Sequence, residues 1–256
     1  MSVVAIIVQE KGGVRKTATA VALVDACRQL KVEPLVVQID QQGRLAALFP
    51  NVATVTVAKA DELVESETAD AVAFGPVEAM LFDDPDRCVI IDVGANHDGR
   101  LAAHALGSAW DAELAGRRVN VFIPFDLTSD SVELAGRTKA RMELALPNAN
   151  IVPVFASPNA SVHANLGAIR AQAERAFGSL EGMVIHPRLP PTSLHFVEKL
   201  RLSPTQFVEQ VGESVSEIAR TLGVTRGEAM IARGAVSTYI LALRTQLVPF
   251  VRDGAL

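Results

Sequence analysis

Cysteine is scarce in this chain, and so are aromatic residues and long apolar runs. The two cysteines, Cys27 and Cys88, both lie inside apolar segments, which predicts buried thiols in a reducing compartment and not a disulfide framework. So few thiols also disfavour a cysteine-ligated iron–sulfur cluster or a structural zinc site held by one chain. None of the five histidines has the spacing typical of a metal ligand set.

Long apolar segments are missing as well. No run approaches the roughly 20 apolar residues of a membrane span. The opening run Val3–Val8 is short and has no basic flank before it, so it predicts a buried strand and not a secretory signal. The tail LVPFVRDGAL is too short and too lightly charged for an amphipathic membrane helix. We therefore expect a cytoplasmic protein that does not bind membranes.

The pattern that is present is one of short apolar runs alternating with amphipathic stretches. At 256 residues, 49% of them hydrophobic, the chain is long enough for one α/β domain over residues 1–256. The predicted strands are rich in Val and Ile without period-two alternation, as in a sheet buried on both faces. They are Val3–Val8, Pro34–Ile39, Thr54–Val57, Cys88–Val93, Arg118–Ile123, Ile151–Phe155 and Met183–Ile185.

Predicted helices separate most of these strands, and they are Lys16–Leu30, Val77–Phe82, Arg100–Leu114, Ser129–Leu146 and Val162–Phe177. Strands alternating with helices of this length predict a doubly wound, mostly parallel sheet flanked by helices. After Ile185 the segment 186–191 predicts an extended loop, and only helical periodicity follows up to Val251. No flexible linker intervenes, so we expect a helical C-terminal layer from about residue 193.

The segment KGGVRKT, Lys11–Thr17, follows a buried strand and opens a helix, which is the context that a phosphate-binding loop requires. Glycines let successive backbone N–H groups converge on phosphate oxygens, and the helix N-terminus adds positive potential. In this interpretation Lys16 bridges the terminal phosphates and the Thr17 hydroxyl ligates Mg²⁺. The alternative is a glycine-rich turn between a strand and a helix, with surface lysines.

These residues resemble the deviant Walker A pattern K-G-G-x-x-K-[ST] of the ParA/MinD family of P-loop ATPases. The resemblance implies the SIMIBI type of P-loop fold, with ATP and Mg²⁺ as ligands. It also implies that Lys11 reaches across an ATP-dependent homodimer to the partner's phosphates. The phosphates would be surrounded by Lys11, Gly12, Gly13, Val14, Arg15, Lys16, Thr17 and Ala18.

Two acidic residues end predicted parallel strands, where open α/β sheets place their ligand crevice. The segment LVVQIDQQG resembles the family's second strand and switch segment, which implies that Asp40 positions the attacking water and lies near the metal. Gln38 stands where relatives have the first acid of that motif, and Arg44 where they have asparagine. VIIDVGA resembles the Walker B strand, so Asp92 is expected to hold Mg²⁺ through a water. Alone, each acid is equally well a turn or cap residue.

Two further residues are candidate contacts to adenine. HPRLPP, residues 186–191, lies where relatives pass a proline-containing loop over the base, so Pro187 is one candidate. Asn159 follows the strand Ile151–Phe155 at the same sheet edge and is the other. A loop that is merely stiffened by its prolines is an equally good interpretation of 186–191.

Arg15 departs from the family, which mostly has glycine at this position. Its side chain either points outward without effect, contributes a positive charge to the phosphates like a built-in arginine finger, or blocks nucleotide binding. Ala18, where relatives often have a second hydroxyl, removes one α-phosphate contact and predicts weaker nucleotide affinity.

Residues 212–236 resemble a helix-turn-helix, with Gly223 at the turn, although Ala229 and Ala232 stand where larger apolar residues are usual. The preferred interpretation is two packed helices that finish the domain. ParA-like proteins also bind DNA non-specifically through basic residues of this region. The matching candidates here are Arg201, Arg220, Arg226, Arg233 and Arg244.

The leading functional hypothesis is an ATP-dependent dimerising switch with slow hydrolysis, in which Lys11, Lys16 and Asp40 are the catalytic residues. Such a switch positions cargo through a partner or adaptor protein. The D-V-G-A form at 92–95 looks closer to ATPases of plasmid stability and conjugal transfer (the TraL/StbB type) than to MinD. Two other classes stay open: an ATP-dependent small-molecule ligase of the same fold, and a degenerate nucleotide-binding scaffold.

Overall fold

Seven parallel strands form one sheet in the order β3-β2-β4-β1-β5-β6-β7. The computed structural model describes residues 3–40, 43–58, 68–126, 128–156 and 162–252, with the side chains of 162–169 excepted. The strands are β1 Val3–Ile7, β2 Leu35–Ile39, β3 Val52–Val55, β4 Val89–Val93, β5 Arg118–Phe125, β6 Asn150–Phe155 and β7 Val184–Ile185.

Helices cover both faces of this sheet. In chain order they are α1 Lys16–Gln29, α2 Ala69–Phe82, α3 Asp98–Gly107, α4 Trp110–Glu113, α5 Ser129–Ala145, α6 Val162–Phe177, α7 Pro191–Leu200, α8 Pro204–Leu222 and α9 Arg226–Val251.

Strand β1 lies at the centre and separates two apolar cores. Val3, Ala5 and Ile7 face one core, which they share with α1 and the helices α7 to α9. Val4 and Ile6 face the other, which is built with α2, α3 and α5. Side chains of a strand alternate between faces, and both faces of β1 are fully buried, which accounts for its unbroken apolar run. This confirms the predicted doubly wound parallel sheet.

The parallel pairing also fixes where the strands end. Strand β1 pairs with β4, with Ile7 opposite Asp92, and β4 pairs with β2, with Val93 opposite Ile39. The carboxyl ends of these three strands therefore meet at one edge of the sheet. The loop after β1, Asp40 and Asp92 all lie there.

Two helix predictions had the wrong bounds. The predicted helix Arg100–Leu114 is split into α3 and α4, because Ala109 adopts a left-handed conformation with φ of 54°. Helix α2 begins at Ala69 instead of Val77, although it contains Gly75 and Pro76, which usually indicate a turn. Burial of Phe74, Val77 and Leu81 on one side of α2 outweighs that local preference.

The two cysteines are buried, as predicted, but they are also neighbours. The sulfurs of Cys27 on α1 and Cys88 before β4 lie 3.5 Å apart. The hydrogen bond with Cys88 and burial raise the pKa of Cys27, so that thiol stays protonated.

The C-terminal segment, which the sequence predicts to be helical, forms the three packed helices α7, α8 and α9. Ala229 and Ala232 of α9 are buried, which explains their small size where a helix-turn-helix would have larger residues. Arg233 donates a hydrogen bond from Nε to the carbonyl oxygen of Val208 at 2.9 Å, so it joins α9 to α8. These contacts match the interpretation as two packed helices, and they leave Arg233 a poor candidate for DNA contact. None of the helices in the described ranges combines the length and apolar content that a membrane-spanning helix needs.

Candidate phosphate-binding site

The loop between β1 and α1 has the backbone of an anion-binding turn. Gly13 has φ of 78° and Arg15 has φ of 64°, both in the left-handed region. Glycine adopts this conformation without strain, whereas arginine does so at a cost of roughly 1–2 kcal/mol. Left-handed residues within a tight turn orient neighbouring N–H groups into a concave nest that binds anions. The backbone of this loop is therefore compatible with anion binding, and Arg15 is the residue in it with a strained conformation.

Helix α1 begins without a side chain that would cap it. The residue at the cap position is Arg15, whose side chain is a donor only and makes no capping hydrogen bond. Helices α8 and α9, by contrast, both start with complete capping boxes, at Ser203 and Thr225. The first N–H groups of α1 are the ones that an external anion would satisfy.

Lys16 lies under the loop, where it is 8% exposed. Its Nζ donates hydrogen bonds to the carbonyl oxygens of Gln9 at 2.9 Å and Lys11 at 2.7 Å. Burial lowers the pKa of Lys16 to about 8, and the charges of Asp92 and Asp40 oppose the shift. The ammonium group is still mostly protonated at neutral pH, so the loop contains a fixed positive charge.

The Thr17 hydroxyl donates a hydrogen bond to Oδ2 of Asp92 at 2.8 Å. Burial raises the pKa of Asp92 to about 6, while the bond from Thr17 and the charge of Lys16 oppose the rise. The structure thus brings together Thr17 and Asp92, two of the three residues that the sequence predicts near magnesium; Asp40 is the third. Carboxylate and hydroxyl oxygens are the type of ligand that Mg²⁺ prefers.

Gly94 places Asp40 beside this pair, a role that the sequence interpretation missed. The N–H of Gly94 donates to the carbonyl oxygen of Ile39 at 2.7 Å. A Cβ at residue 94 would lie 2.8 Å from that oxygen and 3.1 Å from Cβ and Cγ of Asp40. Only glycine permits this close approach of β4 to the end of β2. The sequence did contain a hint of this role, because Gly94 comes directly after the strand that contains Asp92, where a close backbone approach often requires glycine.

Lys11 lies at the N-terminus of α5. Its Nζ donates to Oγ1 of Thr128 at 2.6 Å and is 3.5 Å from Asp130 and 3.8 Å from Asp126. The side chain is 24% exposed. The side chain of Lys11 is therefore held by residues of its own chain.

Gln38 contributes to the neighbouring segment, where the family pattern has an acid. Its Oε1 accepts hydrogen bonds from the N–H groups of Leu45 at 2.9 Å and Ala46 at 3.2 Å. The side chain is fully buried. Gln38 thus fixes the turn that follows Asp40 and does not face the cleft.

A cleft of about 620 Å³ opens above the loop. Of the predicted phosphate-site residues, all but Lys11 and Val14 line it; Val14 is buried. The lining includes Gly12, Gly13, Arg15, Lys16, Thr17, Ala18, Asp40, Arg44, Asp92 and Tyr239.

The two predicted adenine contacts remain predictions. Pro187 is half-buried and does not line this cleft, whereas Leu189 of the same loop does. Asn159 falls outside the described residues.

A second, mostly apolar cavity of about 470 Å³ shares a wall with the cleft. Thr17, Ala18 and Tyr239 line both spaces. Val21 and Ala22 of α1 and Leu243 of α9 extend the apolar lining away from the loop. Any molecule in this cavity would lie beside whatever occupies the cleft.

Comparison with known proteins gives structural similarity only. No protein-family model matches the chain, and no curated protein matches it. Among solved structures, an ATP complex of a McdA variant from Cyanothece is 14% identical, with a TM-score of 0.48 over 87% of this chain and 96% of that one. MinD in the MinC:MinD complex of Aquifex aeolicus is 14% identical, with a TM-score of 0.44 over 99% and 97%.

A third similar structure is cobyrinic acid a,c-diamide synthase from Mycobacterium smegmatis with bound ADP and magnesium. It is 20% identical, with a TM-score of 0.44 over 74% of this chain and 87% of that one. At these identities and TM-scores the similarity says nothing of the chemistry of this chain.

Proposed function

We propose that this chain binds Mg·ATP at residues 11–18 and acts as a ParA-like, ATP-dependent dimerising switch with slow hydrolysis. The observation that supports it is that the buried ammonium group of Lys16 and the hydrogen-bonded pair Thr17–Asp92 line one cleft at the start of α1, a helix whose cap residue makes no capping bond. A cation suited to phosphate, a pair of oxygen ligands suited to a metal and a helix N-terminus thus meet at the ends of β1 and β4.

The residues fit a polyphosphate at the loop. The N–H groups at the start of α1 and in the turn around Gly13 would hold the phosphate oxygens, and Lys16 would exchange its bonds to loop carbonyls for bonds to phosphate. Charge-assisted hydrogen bonds of this kind are roughly twice as strong as neutral ones. The cost of burying Lys16 is therefore offset when an anion binds.

The oxygen atoms of Thr17 and Asp92 fit a magnesium ion beside the phosphates. Thr17 and Asp92 would hold the ion, directly or through water, and Asp40 lies within reach of the same region because Gly94 draws β2 and β4 together. When bound, the ion would neutralise charge on the phosphates. Asp40 would orient a water molecule, which is the role that the resemblance to the ParA/MinD pattern implies.

Dimerisation is expected to depend on Lys11. In this structure Lys11 is held by Thr128, Asp126 and Asp130. To contact a partner's phosphates it has to leave these groups, and the negative charge of a bound triphosphate favours that exchange. The segments after β2 and β4 would then differ between the ATP and ADP states. A partner or adaptor protein would recognise that difference. Through this partner the switch would position its cargo, which is plasmid DNA or transfer machinery.

The first test is binding of Mg·ATP by isothermal titration calorimetry. Replacing Thr17→Val keeps the shape of the side chain and removes the hydroxyl, so we expect affinity to fall about tenfold or more, because a bond to a charged group is worth about 1.5–3 kcal/mol. Thr221→Val is the matched control, since Thr221 is an exposed helical threonine far from the loop in sequence. Equal affinities for ATP in all three proteins would contradict the proposed site.

The second test is the oligomeric state, measured by light scattering with ADP, with ATP and with a Lys11→Ala variant. ATP-dependent dimers that the variant abolishes would support the switch. A monomer that binds ATP in every case would refute dimerisation while leaving the nucleotide site intact.

The apolar cavity beside the cleft favours a second candidate, an ATP-dependent enzyme that modifies a small molecule. Its shared wall at Thr17 and Ala18 would place a substrate next to the phosphates. Filling the cavity with Ala22→Phe should then abolish substrate-stimulated turnover but leave Mg·ATP binding in place. The switch predicts turnover that responds to a protein partner instead.

A further inference from the structure

Residues from three distant parts of the chain meet behind the loop: Arg15 with Thr19, then His186, and then Tyr239. The Thr19 hydroxyl lies 3.0 Å from the carbonyl oxygen of Arg15 and 2.9 Å from Nε2 of His186. Nδ1 of His186 lies 3.1 Å from the hydroxyl oxygen of Tyr239. Arg15 and Tyr239 both line the cleft above the loop. These contacts join α1, the end of β7 and α9.

The direction of each hydrogen bond follows from the number of protons available. Thr19 has one hydroxyl proton, and it donates this proton to the carbonyl oxygen of Arg15. Nε2 of His186 must then be the donor to Thr19. His186 is 1% exposed, and burial lowers its pKa to about 3, so the imidazole is neutral and carries a single proton. Nδ1 is therefore the acceptor, and Tyr239 donates to it.

Tyr239 extends this chain of hydrogen bonds to the cleft, which Arg15 also lines. The phenol donates its one proton to His186, so its oxygen has a lone pair with which it can accept from the Arg15 guanidinium. Burial raises the pKa of the Tyr239 phenol, while the positive charge of Arg15 opposes the rise. One end of the chain thus binds the carbonyl oxygen of Arg15, and the other end presents an acceptor to its guanidinium.

We propose that His186 and Tyr239 are positioning residues that hold the Arg15 guanidinium at the cleft, where it binds the phosphates of a nucleotide held by the same chain. This inference rests on the proposed function and names how its atypical loop residue acts. A guanidinium group keeps its charge at any physiological pH and presents planar donors suited to phosphate. Such a contact also explains why a strained arginine is stable at a position where glycine would cost nothing.

The test is a double-mutant cycle on phosphate binding with Arg15→Met, Tyr239→Phe and the double variant. Affinities for Mg·ATP and for magnesium tripolyphosphate, which has no base or ribose, are measured by calorimetry. We expect Arg15→Met to lower both affinities about tenfold or more, because a charged hydrogen bond is lost. Tyr239→Phe should lower both severalfold in the wild-type background and have no further effect in Arg15→Met.

Four controls separate positioning from a structural role. Arg15→Lys should recover part of the loss, since it restores the charge without the planar donors. Arg220→Met removes an exposed arginine outside the cleft and should change nothing. Far-ultraviolet circular dichroism confirms that each variant is folded, and the ¹⁵N chemical shifts of His186 should show a proton on Nε2 in the wild type.

The outcomes are distinct. If the wild type binds neither ligand, the proposed function fails and this inference fails with it. If the wild type binds both but the losses from Arg15→Met and Tyr239→Phe simply add, the positioning role is refuted and the nucleotide site stands. A loss of ATP affinity with unchanged tripolyphosphate affinity would also refute it, because the contact would then not be with phosphate.

Discussion

The most exacting prediction concerns Gly94, whose replacement by alanine should destabilise the edge of the sheet where Asp40 and Asp92 lie. The added Cβ would lie 2.8 Å from the carbonyl oxygen of Ile39, closer than such atoms approach in folded proteins. It cannot move away easily, because the N–H of Gly94 is bonded to the same oxygen at 2.7 Å. Overpacking costs about 1–3 kcal/mol, and weakening that hydrogen bond adds about 1 kcal/mol.

The assay is urea unfolding followed by circular dichroism. A loss of about 2–4 kcal/mol corresponds to a midpoint lower by roughly 1 M, for a slope of about 3 kcal/mol/M. Gly75→Ala is the matched control, because Gly75 lies in α2 and a Cβ added there would have nothing within 4 Å. There the substitution should stabilise by about 0.5–1 kcal/mol. Equal midpoints for Gly94→Ala and the wild type would refute the close-approach argument.

The half-buried carboxyl of Asp25, the buried carboxyl of Asp92 and one helix cap give the remaining predictions. Burial raises the pKa of Asp25 to about 6, although Thr205 donates a hydrogen bond to it at 2.6 Å. The native state thus binds the proton more tightly than the unfolded chain, and the associated stability, complete below pH 4, is lost as pH rises through 6. Asp25→Asn should remove this pH dependence. If the unfolding free energies of the variant and the wild type change in parallel with pH, the assignment to Asp25 is wrong. Because the pKa of Asp92 is also raised to about 6, magnesium-dependent ATP affinity should weaken below pH 6, and calorimetry at pH 5 and 7 checks it. Ser203→Ala removes the capping box of α8 and should cost about 1 kcal/mol in urea unfolding, whereas Ser237→Ala, at an exposed helical serine, should cost almost nothing.

Local apolar patterns in the sequence predicted the central strands of the sheet. The apolar run that ends at Val8 contains β1, and the Asp92 motif ends β4, because strands buried on both faces have an unmistakable composition. The parallel order then requires that their ends meet. This is why Lys16, Thr17 and Asp92 could be placed at one site from their positions in the sequence alone.

The details that failed depend on contacts between distant parts of the chain. Nothing local in residues 100–114 indicates that Ala109 turns left-handed and ends α3. The role of Arg15 was left open, because Tyr239, which lines the same cleft, is on α9 at the far end of the sequence. Ala229 and Ala232 are small because they are buried against the core. That burial depends on the packing of α9, which the sequence around these two residues does not reveal.

The distribution of charge across the cleft connects these observations to function. Cationic groups, Arg15 and Lys16, lie at the loop, while Asp40 and Asp92 lie at the strand ends. A magnesium–polyphosphate complex has the complementary arrangement, with negative oxygens on one side and a divalent cation on the other. Opposite charges at close range in a partly buried site interact far more strongly than in water. The cleft should therefore disfavour a magnesium–polyphosphate complex bound the other way round, with its phosphates beside the carboxylates. The burial of Lys16 and Asp92, unfavourable for each residue alone, would strengthen that discrimination in the proposed site.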